Sequence, residues 1–118
     1  MRDRYNDHVK TPCVYLLASK RDGVLYVGVT SHLQGRMSKH VDGAFEGFTK
    51  KYNVTRLVYY EMHENMETAI QREKRIKDWK RAWKIRLIHQ FNPEWRNLHD
   101  NETGEIFDGP ADRQRLHE

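Results

Sequence analysis

Two tyrosines, Tyr15 and Tyr26, lie within the short stretch "VYLLASKRDGVLYVG". A phenol hydroxyl donates and accepts hydrogen bonds, but its unperturbed pKa of about 10 makes it a poor base at neutral pH. Tyrosines on small sheets usually pack half-buried, with an apolar ring and a wet hydroxyl. A chemical role for this pair therefore requires other polar groups nearby.

A carboxylate, Glu73, falls in the middle of an apolar stripe, because Ile70, Glu73 and Ile76 recur every three residues of a predicted helix. An unpaired charge in such a poorly hydrated position costs several kcal/mol. We therefore expect Glu73 to meet a cation, either a nearby arginine or a metal ion. Basic residues flank it on the same segment: Arg72, Lys74, Arg75 and Lys77.

A third polar group is the pair Arg36 and His40, one helical turn apart in "SHLQGRMSKH". Both residues lie beside the apolar stripe of their predicted helix, the side that packs on the sheet. Both side chains can therefore point towards the edge of that sheet. The helix itself is predicted by a capping box, Ser31 with Gln34, and by the stripe Leu33, Met37 and Val41.

The two tyrosines belong to a predicted β-hairpin. Residues 11–19 and 24–30 have the composition of strands, with a charged turn between them. Because strand side chains alternate, Tyr15 and Tyr26 share one face across a hairpin with an even-numbered loop, in opposite or diagonal positions. Gly28 is expected to leave open space on that face.

The remaining pattern predicts an α/β fold with a small, mainly antiparallel three-stranded sheet flanked by helices. A third strand is predicted at 55–61, and the chain is strongly helical over 65–91. This helical segment is expected to break near 78–81 and to end before Asn92-Pro93.

The 118 residues are the length of one domain, divided into an arm at 1–10, a folded domain at 11–98 and a polar, disordered tail at 99–118. The net charge of +4 favours anionic partners such as nucleic acid. A single cysteine, Cys13, excludes an internal disulfide, and the scattered histidines disfavour a zinc site. With no apolar run or signal peptide, we expect a cytoplasmic monomer or weak dimer without membrane contact.

Taken together, these motifs resemble the GIY-YIG nuclease superfamily. Cys13-Val14-Tyr15 corresponds to the first signature and Tyr26-Val27-Gly28 to the second. The likeness extends over residues 11–98 and includes the helix "SHLQGRMSKH" and the later stretches "AIQREKRIKDWKR" and "NPEW". The chain is most similar to small single-domain bacterial members related to the N-terminal nuclease domain of the excision-repair endonuclease. Cys13 replaces the first glycine and would narrow the site if it faces the same side as Tyr15.

The resemblance implies a metal-dependent DNA endonuclease. Glu73 would hold one divalent ion, Mg²⁺ or Mn²⁺, and Arg36 would clamp the scissile phosphate. Tyr26 would contact the attacking water and Tyr15 would orient it or its neighbour, while either Tyr26 or His40 would serve as general base. The family's site falls on six residues: Tyr15, Tyr26, Arg36, His40, Glu73 and Asn92.

The basic segment has two interpretations. It is either a solvated helix face or, with Trp79 and Trp83 interleaved, a surface for a nucleic-acid backbone, carried by Lys74, Lys77, Lys80, Arg81 and Lys84. Helical spacing with Ile76 favours core positions for the two tryptophans. The form of the DNA, whether duplex, branched or single-stranded, is left open, and a protein partner would be one source of specificity. The alternative function is a nucleic-acid-binding module that keeps this fold without useful catalysis.

Overall fold

A computed structural model describes residues 11–42 and 47–108 of the chain. The arm at 1–10 lies outside these residues, as do the last ten positions of the predicted tail. The elements follow in the order β1 (Cys13–Ala18), β2 (Leu25–Thr30), α1 (Leu33–Val41), α2 (Phe48–Lys51), β3 (Arg56–Met62), α3 (Met66–Asp78) and α4 (Arg81–Phe91).

The three strands form one antiparallel sheet in the order β2-β1-β3, so the predicted α/β architecture is confirmed. Tyr15 pairs with Gly28 and Leu17 pairs with Tyr26, which puts the two tyrosines diagonally on one face. The hairpin turn closes through Asp22 at a φ of 59° and a hydrogen bond from the amide of Gly23 to the carbonyl of Lys20.

The sheet separates two cores, because the central strand β1 is fully buried on both faces. On one face Val14 and Leu16 pack with Ala69 and Ile76 of α3 and with Ile88 of α4. The other face carries the tyrosines and is covered by other parts of the chain. Its cluster includes Cys13, Tyr15 and Leu17 with Leu33 and Met37 of α1, Leu98, Ile106 and Phe107.

The helix α1 begins differently from the predicted capping box. Its N-cap is His32, whose side chain makes no capping hydrogen bond. The His32 amide donates to the Thr30 hydroxyl at 3.1 Å, and the helix begins one residue later than the capping box predicts. The side chain of Gln34 donates instead to the carbonyl of Gly104. The capping box of Ser31 and Gln34 is therefore wrong.

The long helical segment is divided as predicted. Asn65 caps α3 by accepting the amide of Thr68 at 2.9 Å, and Trp79 and Lys80 then adopt extended backbone, each with a ψ of 151°. The short helix α2 was not predicted. No helix in the described ranges has the length and apolar composition that crossing a membrane demands.

Residues 99–108 are folded, so the expected disorder does not hold for them. His99 and Ile106 form an antiparallel bridge, and the amide of Phe107 donates to the carbonyl of Leu98 at 2.8 Å. The Tyr60 hydroxyl donates to the Phe107 carbonyl at 2.8 Å. The apolar pair Ile106 and Phe107 anchors this polar stretch by covering the tyrosine face of the sheet.

Candidate active site

Tyr15 and Tyr26 lie at the centre of the candidate site, with ring centroids 6.3 Å apart. Tyr15 is fully buried, whereas Tyr26 is partly exposed on the edge strand β2. The space expected beside Gly28 is filled by the Tyr15 ring, since a Cβ at Gly28 would lie 2.5 Å from the phenol oxygen. Gly28 is therefore the residue that lets the Tyr15 hydroxyl cross the neighbouring strand.

His40 reaches the tyrosines from the last turn of α1. Its Nε2 lies 3.2 Å from the Tyr15 hydroxyl, and its ring packs edge-on against both tyrosine rings. Burial, together with the nearby charge of Arg36, lowers the pKa of His40 to about 4. The imidazole is consequently neutral at neutral pH, the state in which it can accept a proton.

Arg36 directs its guanidinium to the same place. Burial raises the pKa of Tyr15 far above its ordinary value, and the charge of Tyr26 adds to this, while the charge of Arg36 and its hydrogen bond oppose it. The neighbours of Arg36 on α1, Leu33 and Met37, are buried in the core that covers the tyrosine face of the sheet, as their spacing predicted. Tyr15 is thus a protonated phenol positioned by two helix residues.

Glu73 is the buried carboxylate of α3, only 8% exposed. Its Oε2 accepts a charged hydrogen bond from Lys77 Nζ at 2.7 Å, so the side chain that meets this carboxylate is a lysine one turn further along the helix and not the expected arginine. The hydrogen bond with Glu73 raises the pKa of Lys77, and the charges of Glu73 and Tyr26 contribute as well. Lys77 therefore links Glu73 electrostatically to Tyr26.

The Glu73 carboxylate is suited to a hard divalent cation. Mg²⁺ binds through one or two carboxylates, keeps several waters and takes phosphate oxygens from its substrate. Within the described ranges no three His, Cys, Asp or Glu side chains come together, so water and phosphate would complete the coordination. The side chain of Lys77 is 55% exposed, so its ion pair with Glu73 lies at the protein surface.

Asn92 is not joined to this cluster by any contact that the structure describes. Its buried amide donates to the carbonyls of Val58, at 3.2 Å, and Arg96, at 2.8 Å, and accepts the Arg96 amide at 3.1 Å. These bonds end α4 and attach the following loop to β3. The described hydrogen bonds of Asn92 are therefore structural, and its catalytic role stays a prediction of the resemblance.

Cys13 faces the same side as Tyr15 and is fully buried in that core. Burial raises the pKa of its thiol to about 12, with a backbone hydrogen bond from Glu61 opposing the shift. The thiol stays protonated and packs as a small apolar group.

The five basic residues predicted to bind nucleic acid separate into three groups. Lys74 and Lys80 are exposed and Lys84 is partly exposed. Lys77 belongs to the Glu73 ion pair. Arg81 is a structural residue, since its guanidinium donates to the carbonyls of Asp22 and Gly23, both at 2.7 Å, and ties α4 to the hairpin turn.

Two features of the site were not predicted: the close packing of Gly28 against Tyr15 and the ion pair between Lys77 and Glu73. The spacing of four residues between Glu73 and Lys77 was a visible signal for this pair. Contact between Gly28 and the Tyr15 ring depends on strand register, for which hydrophobic alternation alone is not sufficient.

Comparison with known proteins gives a consistent assignment. The family model of the GIY-YIG catalytic domain matches residues 11–86. The UPF0213 proteins of Staphylococcus aureus strains N315 and Mu50 are each 39% identical over 69 residues, which cover 58% of this chain and 84% of theirs. The solution NMR structure of the UPF0213 protein BH0048 from Bacillus halodurans has a TM-score of 0.44 and 29% identity, covering 68% of this chain and 84% of that one. Because the catalytic-domain model spans more than half of its residues, this chain belongs to the GIY-YIG family.

Proposed function

We propose that this chain is a divalent-metal-dependent endonuclease that hydrolyses DNA phosphodiester bonds in the cytoplasm. Membership of the GIY-YIG family supports a nuclease. The observation that carries the proposal is the meeting of Tyr15, Arg36 and His40 in one hydrogen-bonded group beside Tyr26. Such a cluster of buried, interacting polar groups is typical of an active site.

Phosphodiester hydrolysis needs charge stabilisation on the phosphate and a deprotonated water. Arg36 would supply the first, since its planar guanidinium matches two phosphate oxygens at once. A divalent cation held by Glu73 would neutralise charge on the phosphate and on the leaving oxygen. Lys77 would move away from Glu73 as the substrate binds, and its charge would then serve the DNA backbone.

Water activation is assigned to the two tyrosines and His40. Tyr26 is the more exposed phenol, so its hydroxyl would contact the attacking water. As the water oxygen bonds to phosphorus and the bond to the leaving oxygen breaks, the Tyr15 hydroxyl would receive the water proton and pass its own proton to the neutral imidazole of His40 at Nε2. Tyr15 would orient that imidazole through the 3.2 Å hydrogen bond.

Tyr26→Phe should lower the cleavage rate by about 10- to 100-fold, because it removes one hydrogen bond to the reacting water. DNA affinity should stay nearly unchanged, since the ring and its packing are kept. Single-turnover rates and equilibrium binding in a chelator separate the two effects. Tyr52→Phe, at an exposed tyrosine that follows α2, is the matched control and should cut like wild type.

His40→Gln tests the choice of base and should cost about 10²- to 10⁴-fold in rate. The acid limb of wild-type kcat/KM is expected near pH 4, where His40 in the free protein becomes protonated. A variant without His40 that retains cleavage, while Tyr26→Phe does not, would make Tyr26 the general base.

Two lysines, Lys80 at the N-cap of α4 and Lys84 within this helix, are expected to follow the phosphate backbone. Log K for DNA should fall linearly with log salt, and the double variant Lys80→Gln, Lys84→Gln should reduce the slope by about two units. Arg81 is left unchanged because it holds the hairpin turn. Lys50→Gln with Lys51→Gln on α2 is the control. An unchanged slope in the first variant would mean a solvated face.

The competing function is nucleic-acid binding without useful catalysis. The Glu73–Lys77 ion pair favours it, because one carboxylate oxygen already has a cation. The test measures binding and cleavage by the purified protein in Mg²⁺, with DNA in excess over protein. Binding without cleavage would establish this alternative.

A further inference from the structure

A cleft of about 220 Å³ lies on α4, away from the tyrosine face of the sheet. Its lining residues are Trp79, Trp83, Arg86, Leu87 and Gln90. The four from α4 follow one helical stripe, and Trp79 joins them from the break before the helix. Its volume is below the range of drug-sized ligand pockets and suits one flat ring system.

Trp83 differs from its predicted core position, whereas Trp79 packs against the core cluster of the sheet as a partly buried residue. Trp83 is 50% exposed and Trp79 only partly buried, because the extended residues at 79–80 break the helical spacing that connects them to Ile76. Their rings meet nearly at right angles, with centroids 6.1 Å apart. A flat ring stacked on one indole would therefore touch the other with its edge.

One wall of the cleft is held in place by a chain of contacts. The Arg72 guanidinium lies 5.3 Å from the centre of the Trp79 ring, and Arg72 Nε donates to Glu61 at 3.0 Å. Glu61 in turn accepts the hydroxyl of Tyr59, which is buried in the sheet core. Trp79 is thereby preorganised, and Trp83 presents the more exposed surface.

The charge around the cleft decides what kind of ring would bind. Residues 72–86 contain eight basic and two acidic side chains, a charge of +6, so the rest of the chain carries a net −2. The positive excess of the protein is therefore concentrated on a segment that contributes Trp79, Trp83 and Arg86 to this cleft. A partner that combines a flat apolar ring with adjacent negative charge fits both features, and an unpaired nucleotide is such a partner.

We propose that this cleft binds one unpaired nucleobase of the DNA substrate, stacked on Trp83, with the adjoining phosphates on Arg86 and Lys80. The inference rests on the proposed function and adds a substrate class to it, namely DNA with an unpaired base near the cleavage position. The helical rise puts the backbone of Trp79 roughly 9 Å beyond that of Glu73, about the length of two to three base steps. Gln90 offers a donor and an acceptor to the base edge.

The test compares three duplexes that differ at one position: one unpaired base, an abasic site in its place, or full pairing. Binding to wild type is measured in a chelator. We expect the unpaired base to raise affinity about 5- to 100-fold over the other two DNAs. Trp83→Ala should remove this preference and keep the affinity for paired duplex. Trp83→Phe should keep part of it, and Tyr52→Ala, at another exposed aromatic residue, should keep all of it.

Tryptophan fluorescence provides a second readout. The unpaired base should quench the fluorescence of wild type more than the abasic DNA does, and Trp83→Phe should lose most of that difference, with the remainder coming from Trp79. Equal binding of the three DNAs to wild type would overturn the proposal. The proposal would also be overturned if Trp83→Ala lowered the affinity for all three DNAs by the same factor. A Trp83→Ala variant that keeps all three affinities and changes only self-association or binding to another protein would overturn it as well. Because these measurements need no cleavage, they stand even if the Mg²⁺-dependent activity is absent.

Discussion

Glu73→Gln should reduce Mg²⁺-dependent DNA cleavage by at least about 1000-fold, close to abolition at ordinary enzyme concentrations. The amide keeps the volume of the side chain but loses the negative charge that would fix the cation. Loss of several kcal/mol of transition-state stabilisation corresponds to a rate factor of this size.

The same substitution should leave the fold intact. The pair that Glu73 forms with Lys77 joins residues one turn apart, and the lysine side chain is more than half exposed. Such pairs contribute roughly 0.5 kcal/mol or less. Circular dichroism and thermal unfolding should therefore match wild type within a few degrees.

Glu67→Gln is the matched control, since Glu67 is an exposed carboxylate in the first turn of the same helix. It should cut at the wild-type rate. Wild-type turnover by a purified Glu73→Gln sample would remove Glu73 from the metal site. In the absence of metal, we expect Glu73→Gln to bind DNA with the same affinity as wild type. A measurement of affinity alone would therefore not distinguish a nuclease from a binding module.

Arg36→Lys should lose about 2 to 4 kcal/mol of transition-state stabilisation, or roughly 30- to 900-fold in rate. Lysine keeps the positive charge but has no planar fork to hold two phosphate oxygens as negative charge develops on them. The effect on DNA affinity should be smaller, because a single charge near the phosphate is retained.

The measurement is single-turnover cleavage at saturating protein, together with binding in a chelator. Arg96→Lys is a suitable control, because its side chain is exposed and its described bonds to Asn92 are made by the backbone. If Arg36→Lys cut like wild type at saturation and only bound more weakly, Arg36 would belong to a docking surface. The non-catalytic alternative would then be the better account of this cluster.

The sequence by itself determined the features that follow from local backbone geometry. Alternation along a hairpin puts Tyr15 and Tyr26 on one face, and the helical repeat puts Glu73 on a buried face with Ile76. The third member of the predicted stripe is wrong, because Ile70 is exposed and Ala69 is the buried residue one turn before Glu73. The break between α3 and α4 was also predictable, since the helical pattern weakens near residues 78–81. Each of these features depends on a few residues that are close in the sequence, and the backbone has few alternative conformations that satisfy the same pattern.

Tertiary structure decided which of several compatible contacts forms. His40 meets Tyr15 only because α1 packs on the tyrosine face, and Asn92 is drawn into a backbone role because its amide finds the carbonyl of Val58. Polar side chains have many possible partners in the sequence, and the packing of distant elements selects one.

The same reason explains the errors at the surface. Helical spacing assigned Trp83 to the core, yet exposure depends on which face of α4 meets the sheet, and that face carries Ile88 instead. Polar composition assigned residues 99–108 to a disordered tail, yet Ile106 and Phe107 find an uncovered part of the sheet. An apolar contact between segments far apart in the chain leaves no periodic signal, so only the folded chain reveals it.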